Sequence, residues 1–152
     1  MKLHRRFIYH CVNLFWRFCK PLTLGSRAIV VQDEKVLLVR LSYVKGWYLP
    51  GGGVAKGESF YSGAIRELKE ECGIVPKKLV LFGLYFTTRH GKVDHVAIFL
   101  VTEFSWLTDN SKDPEIDEMR FFPFDSLPEE TTPATKRRIQ EYLSGSPRSD
   151  QW

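Results

Sequence analysis

Three glutamates, Glu67, Glu70 and Glu71, stand close together in a short helical stretch. At about 100° per residue they fall on one arc with Gly63, while Ala64, Leu68 and Cys72 point the other way with Tyr61 and Ile65 beside them. The second arc is expected to pack on a core. Like charges at helical spacing repel and mildly destabilise a helix. A hard divalent cation would remove that cost, because Mg²⁺ takes oxygen ligands and neutralises the cluster. Gly63 is expected to leave open space on the carboxylate arc, where an ion and a phosphate could approach. The plain alternative is a solvated face laced with salt bridges. Arg66 and Glu70 are four apart, but with the base first, which is the weaker orientation.

The elements around these residues constrain the choice. After Pro50 the chain runs through Gly51, Gly52 and Gly53, a glycine loop. A helix is predicted from near Ser59 to Gly73, a residue suited to a left-handed C-cap. The spacing is Gly, five residues, Glu, seven residues, Arg-Glu, an aliphatic, one residue, Glu-Glu, one residue, Gly, an aliphatic. Gly52, Glu58, Arg66, Glu67, Leu68, Glu70, Glu71, Gly73 and Ile74 fill it. A generic Glu-rich helix explains neither the glycine loop nor the fixed offsets of Glu58 and Arg66. This stretch resembles the Nudix hydrolase signature, with every defined position occupied.

The resemblance implies an enzyme that uses water to cleave a diphosphate bond in a nucleoside diphosphate linked to another moiety. It implies Mg²⁺ as cofactor, with Mn²⁺ as a substitute, and a small nucleotide derivative as substrate. It suggests Glu67, Glu70, Glu71 and the Gly51 carbonyl as metal ligands, with one of the glutamates or a loop carboxylate as general base. Glu67 and Glu71 are one turn apart and can share an ion; Glu70 can complete a second site or accept the water proton. Arg66 would orient the carboxylates through charge-assisted hydrogen bonds, and Glu58 would brace the loop against the helix. Glu115, Asp117 and Glu118 are further candidates for a base or ligand, or else an acidic solvated loop. Trp47 could stack on a base, though a tryptophan entering a turn usually packs. Arg89 and Lys92 could hold a phosphate at a hairpin tip, or simply be solvated there. Arg89-His90-Gly91 lacks the proline of the ADP-ribose enzymes, and Gly91-Lys92-Val93 lacks the tyrosine of the diadenosine polyphosphate enzymes. Two other classes compete: a non-catalytic nucleotide sensor and a membrane-peripheral interaction protein.

Length and charge set further bounds. The 152 residues suit one domain, and a 43% hydrophobic content supports a sizeable core. Cys11, Cys19 and Cys72 form no Cys-x-x-Cys pair, so a zinc site or disulfide framework is not indicated and a cytoplasmic setting is expected. The net charge of +4 is local. Lys2, Arg5, Arg6, Arg17, Lys20 and Arg27 have no acidic neighbour among residues 1–27, which leaves 16 basic and 18 acidic residues in the remainder. No DNA partner is therefore expected.

Residues 1–21 read as a basic amphipathic helix, with Phe7, Cys11, Leu14, Phe15 and Phe18 at helical spacing and Pro21 ending the run. It is too short and interrupted to span a bilayer. It could pack on its own domain, form a homodimer contact, or lie on an anionic membrane surface. Strands are expected at 27–32 and 35–41 around the turn Asp33-Glu34, then at 78–88, 94–104 and 119–124. A loop is expected at 105–118 and a final helix at 133–143. The fold class is α+β, a Nudix-type α/β/α sandwich with a mixed β-sheet. The Nudix domain is placed at 22–145, with a frayed tail at 146–152.

Overall fold

The computed structural model describes residues 22–89, 92–108, 113–145 and 149–152. Strand β1 (Leu22–Gln32) and strand β2 (Lys35–Leu41) form a hairpin around Asp33 and Glu34, both at positive φ. Two left-handed central residues give a turn that matches the twist of the flanking strands. Strand β1 also lies parallel to β7 (Lys92–Val101) from Leu22 to Val30. Its other edge is shared. Near its end it pairs with β2, but earlier Gly25, Ser26 and Arg27 pair with β4 (Gly51–Gly53). The glycine stretch is thus a short strand fixed on β1. Strand β6 (Val80–Arg89) pairs antiparallel with β7, while β3 (Trp47–Tyr48) and β9 (Ile116–Pro123) pair antiparallel with β2. One parallel pair among antiparallel ones makes the sheet mixed, as the sequence predicts.

Both faces of this sheet are apolar, and alternation divides them. Ala28, Val30, Leu37 and Val39 face helix α1 (Phe60–Cys72) and meet its Leu68 and Cys72. Ile29, Val36 and Leu38 face the other way, toward Ile139 of helix α2 (Pro133–Ser144). A strand buried on both faces reads as a continuous hydrophobic run, which is why Val36–Val39 shows no polar alternation. A helix on each face completes the sandwich.

Both helices are capped by their own sequence. Ser59 and Ser62 close a reciprocal capping box on α1, and Gly73 ends it in the left-handed conformation at φ 65°. Thr132 caps α2, with Pro133 in its first turn.

The strand boundaries shift where pairing is non-local. β1 begins at Leu22 rather than 27, because β7 supplies partners for its first residues. The expected 94–104 strand is two elements. Val101 ends β7, and β8 (Phe104–Trp106) leaves to pair with β5 (Ile74–Pro76), just after α1. Within the expected 105–118 loop, Ser105 and Trp106 belong to β8, and β9 already starts at Ile116 because it pairs along the whole of β2.

The tail expected to fray is held at its end. The Phe86 amide donates to the Asp150 carbonyl at 2.7 Å, and the Trp152 amide donates to the Phe86 carbonyl at 2.9 Å. Arg138, 1% exposed, donates from Nη1 to the Gln151 carbonyl at 2.7 Å and stacks over Tyr85. These bonds cover part of the free edge of β6, a place where sheets otherwise invite pairing. The N-terminal helix expected over residues 1–21 lies outside the described residues. No described helix is long and apolar enough to cross a membrane.

Leu37 is fully buried in the face that meets α1, whereas Leu143 of α2 is 48% exposed. Leu37→Ala should cost about 2–5 kcal/mol in chemical denaturation through lost burial and a residual cavity, against about 0.5 kcal/mol or less for Leu143→Ala. Equal losses at the two positions would show that the α1-facing layer is not a close-packed core.

Candidate functional site

The site forms along the seam between α1 and β4. Gly51 sits at φ 128°, and a Cβ there would collide with the Ser26 carbonyl and the Arg27 backbone. Only glycine lets this strand lie so close to β1. At Gly52 an added Cβ would lie 2.7–2.9 Å from the Glu67 carboxylate. The glycines therefore bring backbone up against acidic side chains.

Arg66 collects those side chains. Its Nε and Nη2 donate to the two oxygens of Glu58, each at 3.0 Å, a bidentate pair. Its Nη1 donates to Glu67 at 2.8 Å and Glu70 at 3.0 Å, and Nη2 also reaches the Gly53 carbonyl at 2.9 Å. Glu58 in turn accepts from the Ala55 amide at 2.9 Å, so it ties loop to helix as its spacing suggested. Glu71 is held separately: its carboxylate accepts from the Gly51 amide at 2.7 Å.

The helical arcs differ from the expected ones. Gly63, Ala64, Leu68 and Cys72 are buried, and Tyr61 is 50% exposed. Glu67 and Glu71 lie within the inward-facing arc, turned into the seam, rather than opposite the core. The Glu67 side chain is 14% exposed and that of Glu70 53%. Glu70 alone of the three faces outward. Seven residues at about 100° each place Glu71 within about 20° of Ala64, so the wheel itself sets it beside the core arc, and the glycine strand gives the inward carboxylates a polar neighbour there. Gly63 does not leave a space for a ligand. A Cβ there would meet Ser26 Oγ at 3.1 Å, Glu58 at 3.2 Å and Val54 at 3.4 Å, so the missing side chain lets α1 approach β1 and the loop.

The electrostatics follow from this packing. Burial raises the Glu67 pKa, opposed by the Arg66 hydrogen bond. Burial pushes Glu71 up to about 7, opposed by Arg27 and the Gly51 amide and reinforced by the charges of Glu67 and Asp113. Glu58 is lowered by its hydrogen bonds from Arg66. Arg66 is held protonated above its ordinary range, chiefly by Glu58.

Two residues at this site escaped the sequence reading. Arg27 Nη1 donates to the carbonyls of Leu49 at 2.7 Å and Gly51 at 2.9 Å, so one guanidinium fixes both ends of the turn into β4. Its one sequence signal was a charge within an otherwise apolar strand. Asp113 acts on Glu71 across the fold, and nothing local distinguished it from its acidic neighbours. The three acids that were singled out lie on β9 or just before it. Glu118 pairs with Arg40 at 2.8 Å and Arg120 at 2.6 Å, and Asp117 lies with it on β9. Glu115 is exposed, with its amide donating to Asp113 Oδ1 at 2.8 Å. Trp47 is buried edge-on against Phe122 at 4.8 Å with Arg40 over its ring, so it packs and offers no free face. The side chains of Arg89 and Lys92 lie outside the described residues.

Among the described residues, no three acidic, histidine or cysteine side chains converge into a ready-made metal cage. Arg66 draws Glu67 and Glu70 toward itself, and the Gly51 amide draws Glu71. The donor chemistry still fits a hard divalent cation. All the donors are oxygens, and burial raises the pKa of Glu67 and Glu71, a desolvation cost that a bound cation would offset. The Gly51 carbonyl has a second lone pair beside the one that accepts from Arg27.

Comparison with known proteins agrees with this geometry. The NUDIX domain matches residues 22–143. A provisionally named 8-oxo-dGTP diphosphatase of Bacillus subtilis (strain 168) is 29% identical over 125 residues, covering 82% of each chain. The ADP-ribose pyrophosphatase of Methanocaldococcus jannaschii is 32% identical over 105 residues, 66% of this chain and 61% of that one. The crystal structure of a MutT NUDIX hydrolase from Burkholderia pseudomallei superposes with a TM-score of 0.70 at 25% identity, covering 78% of this chain and 96% of that one. Nudix hydrolases generally need divalent metal ions. With its signature folded as one seam of carboxylates and glycine backbone, the chain belongs to the NUDIX domain family and is a Nudix pyrophosphohydrolase.

Proposed function

We propose that the chain catalyses Mg²⁺-dependent hydrolysis of a diphosphate linkage in a small nucleoside diphosphate derivative, with water attacking phosphorus. The observation that carries this reading is the docking of α1 on the glycine strand. Glu71 is tied to the Gly51 amide at 2.7 Å, and Glu67 lies against Gly52, so two carboxylates one turn apart share a seam with open backbone. The relatives' names differ in substrate, 8-oxo-dGTP in one and ADP-ribose in another. What they have in common is a diphosphate linkage, and that linkage is what carries over.

Glu67, Glu70, Glu71 and the Gly51 carbonyl would hold Mg²⁺, and Mn²⁺ could replace it. The bound ion supplies a lowered pKa for water and shields the phosphate charge. Glu70, the outward member, serves as the base that takes the proton of the attacking water. Glu67 and Arg66 complete the catalytic set: Arg66 orients Glu67 and Glu70 while its bidentate bond to Glu58 fixes the guanidinium plane. A nucleotide sensor would not need a complete carboxylate set, which weighs against the non-catalytic reading. The membrane-peripheral reading depends on residues 1–21, outside the described residues.

Glu67→Gln, Glu70→Gln and Glu71→Gln should each lower kcat at least about a hundredfold on whichever nucleotide derivative is hydrolysed, with unchanged far-UV circular dichroism. Hydrolysis in ¹⁸O-water should place the label in a phosphate product. Label confined to a sugar or base fragment, or full activity in EDTA, would refute the mechanism.

Glu71 gives a second test that does not depend on turnover. Burial lifts its folded pKa to about 7, above the ordinary carboxylate value of 4.5, so the folded state holds the proton more tightly. Stability therefore falls as pH rises through that window, and the full penalty remains above it. The cost is on the order of 3 kcal/mol at most. With EDTA present, Glu71→Gln should raise Tm at about pH 8 and change it little at about pH 5. Mg²⁺ should raise the Tm of the unsubstituted chain at the higher pH and do much less for the variant. A Glu71→Gln benefit that is the same at both pH values would show that the carboxyl is not buried against its charge.

A further inference from the structure

The sheet face occupied by α1 is only partly covered. Ala97 and Phe99 of β7 contact that helix through Ala64 and Tyr61. Residues directly opposite one another on neighbouring strands share a face. Leu84 pairs with Ala97, and Leu81 with Phe99, so both look to the α1 side. On β1, Leu22 and Leu24 share the parity of Ala28 and Val30, which also face α1. Phe86 of β6 and His95 of β7 meet with tilted rings, centroids 5.3 Å apart. Leu22, Leu24, Leu81, Leu84 and Tyr61 form an apolar shelf beside α1, each between 41% and 65% exposed. Isolated exposed leucines are ordinary, but four of them on one face of β1 and β6, the two strands that flank β7, mark a contact surface.

We propose that residues 1–21 of the same chain cover this shelf. Leu22, the first described residue, lies on the shelf itself, so the 21 residues before it start where cover is needed. Their sequence supplies the complement, with Phe7, Cys11, Leu14, Phe15 and Phe18 in one helical stripe and Pro21 breaking the pattern just before Leu22. The sizes agree. A helix over residues 4–19 would be about 24 Å long and about 10 Å across. The shelf spans two strand spacings, about 10 Å, and from Leu22 to the level of Ala28 about 20 Å along the strands. Tethering favours this occupant over a second copy. Two apolar surfaces joined by one or two residues meet at an effective concentration near millimolar or above, which an intermolecular contact does not reach in dilute solution. The inference does not depend on the substrate or metal proposed above.

The test uses the full chain. Leu14→Glu with Phe18→Glu should speed amide exchange about tenfold in peptides spanning 80–86 and 93–97, and leave 133–144 unchanged. Leu84→Glu should lower Tm by several degrees in the unsubstituted chain, and by much less in a chain already carrying Leu14→Glu and Phe18→Glu. If Leu84→Glu does not fold, Leu84→Ser completes the same cycle. Additive losses with no change in exchange would overturn the proposal. A concentration-dependent dimer in sedimentation, abolished by Leu84→Glu alone, would overturn it in favour of a second copy. Protection of 80–86 that appears only with phosphatidylserine vesicles would overturn it in favour of a membrane surface.

Discussion

The site depends on one guanidinium. Arg66 is the one side chain that pairs with Glu58, before the helix, and with Glu67 and Glu70 along it, so without it three carboxylates lose the guanidinium they share. Its planar fork satisfies Glu58 through two parallel bonds, so the group is fixed in orientation as well as position. From that fixed plane it also reaches Glu67, Glu70 and the Gly53 carbonyl. A lysine could supply the charge but not the geometry. Loop, helix and glycine strand are held in register by the same side chain.

That arrangement needs a backbone that can come close. β1 divides one edge between the glycine strand and β2, while its other edge takes β7 in parallel. Gly51 fits against β1 only because it has no side chain, and Gly52 leaves room for the Glu67 carboxylate. Arg27 stiffens the approach by binding the carbonyls of Leu49 and Gly51. The carboxylate seam is built on hydrogen-bonded sheet, and of its three helix glutamates only Glu70 extends well into solvent. Such placement restricts the freedom of Glu67 and Glu71 and desolvates them together, so rigidity and raised proton affinity have the same cause.

The fold was legible where local chemistry decides. Ser59 and Gly73 bracket α1, Thr132 and Pro133 open α2, and Asp33-Glu34 turns the first hairpin, because caps and turns are contacts among neighbours in sequence. Strand ends were less legible. β1 gains its first five residues from β7, far along the chain, and β8 separates from β7 because β5 offers it an edge. Tail residues 149–152 looked frayed because their partners, Phe86 and Arg138, are remote in sequence.

The sequence by itself determined which residues make up the glycine and carboxylate signature. Gly52, Glu58, Arg66, Glu67, Glu70 and Glu71 stand at offsets that a helix and a glycine turn convert into one cluster, whatever else the chain does. Tertiary structure alone decided which carboxylates are buried and which second-rank residues join them. A helical wheel gives direction around one axis, whereas burial depends on what lies at the end of that direction. Glu67 and Glu71 point at the glycine strand, Glu70 points past it, and Gly63 is filled by Ser26, Glu58 and Val54. Arg27 and Asp113 enter, and Glu118 leaves for Arg40, through contacts between distant segments that no local pattern encodes.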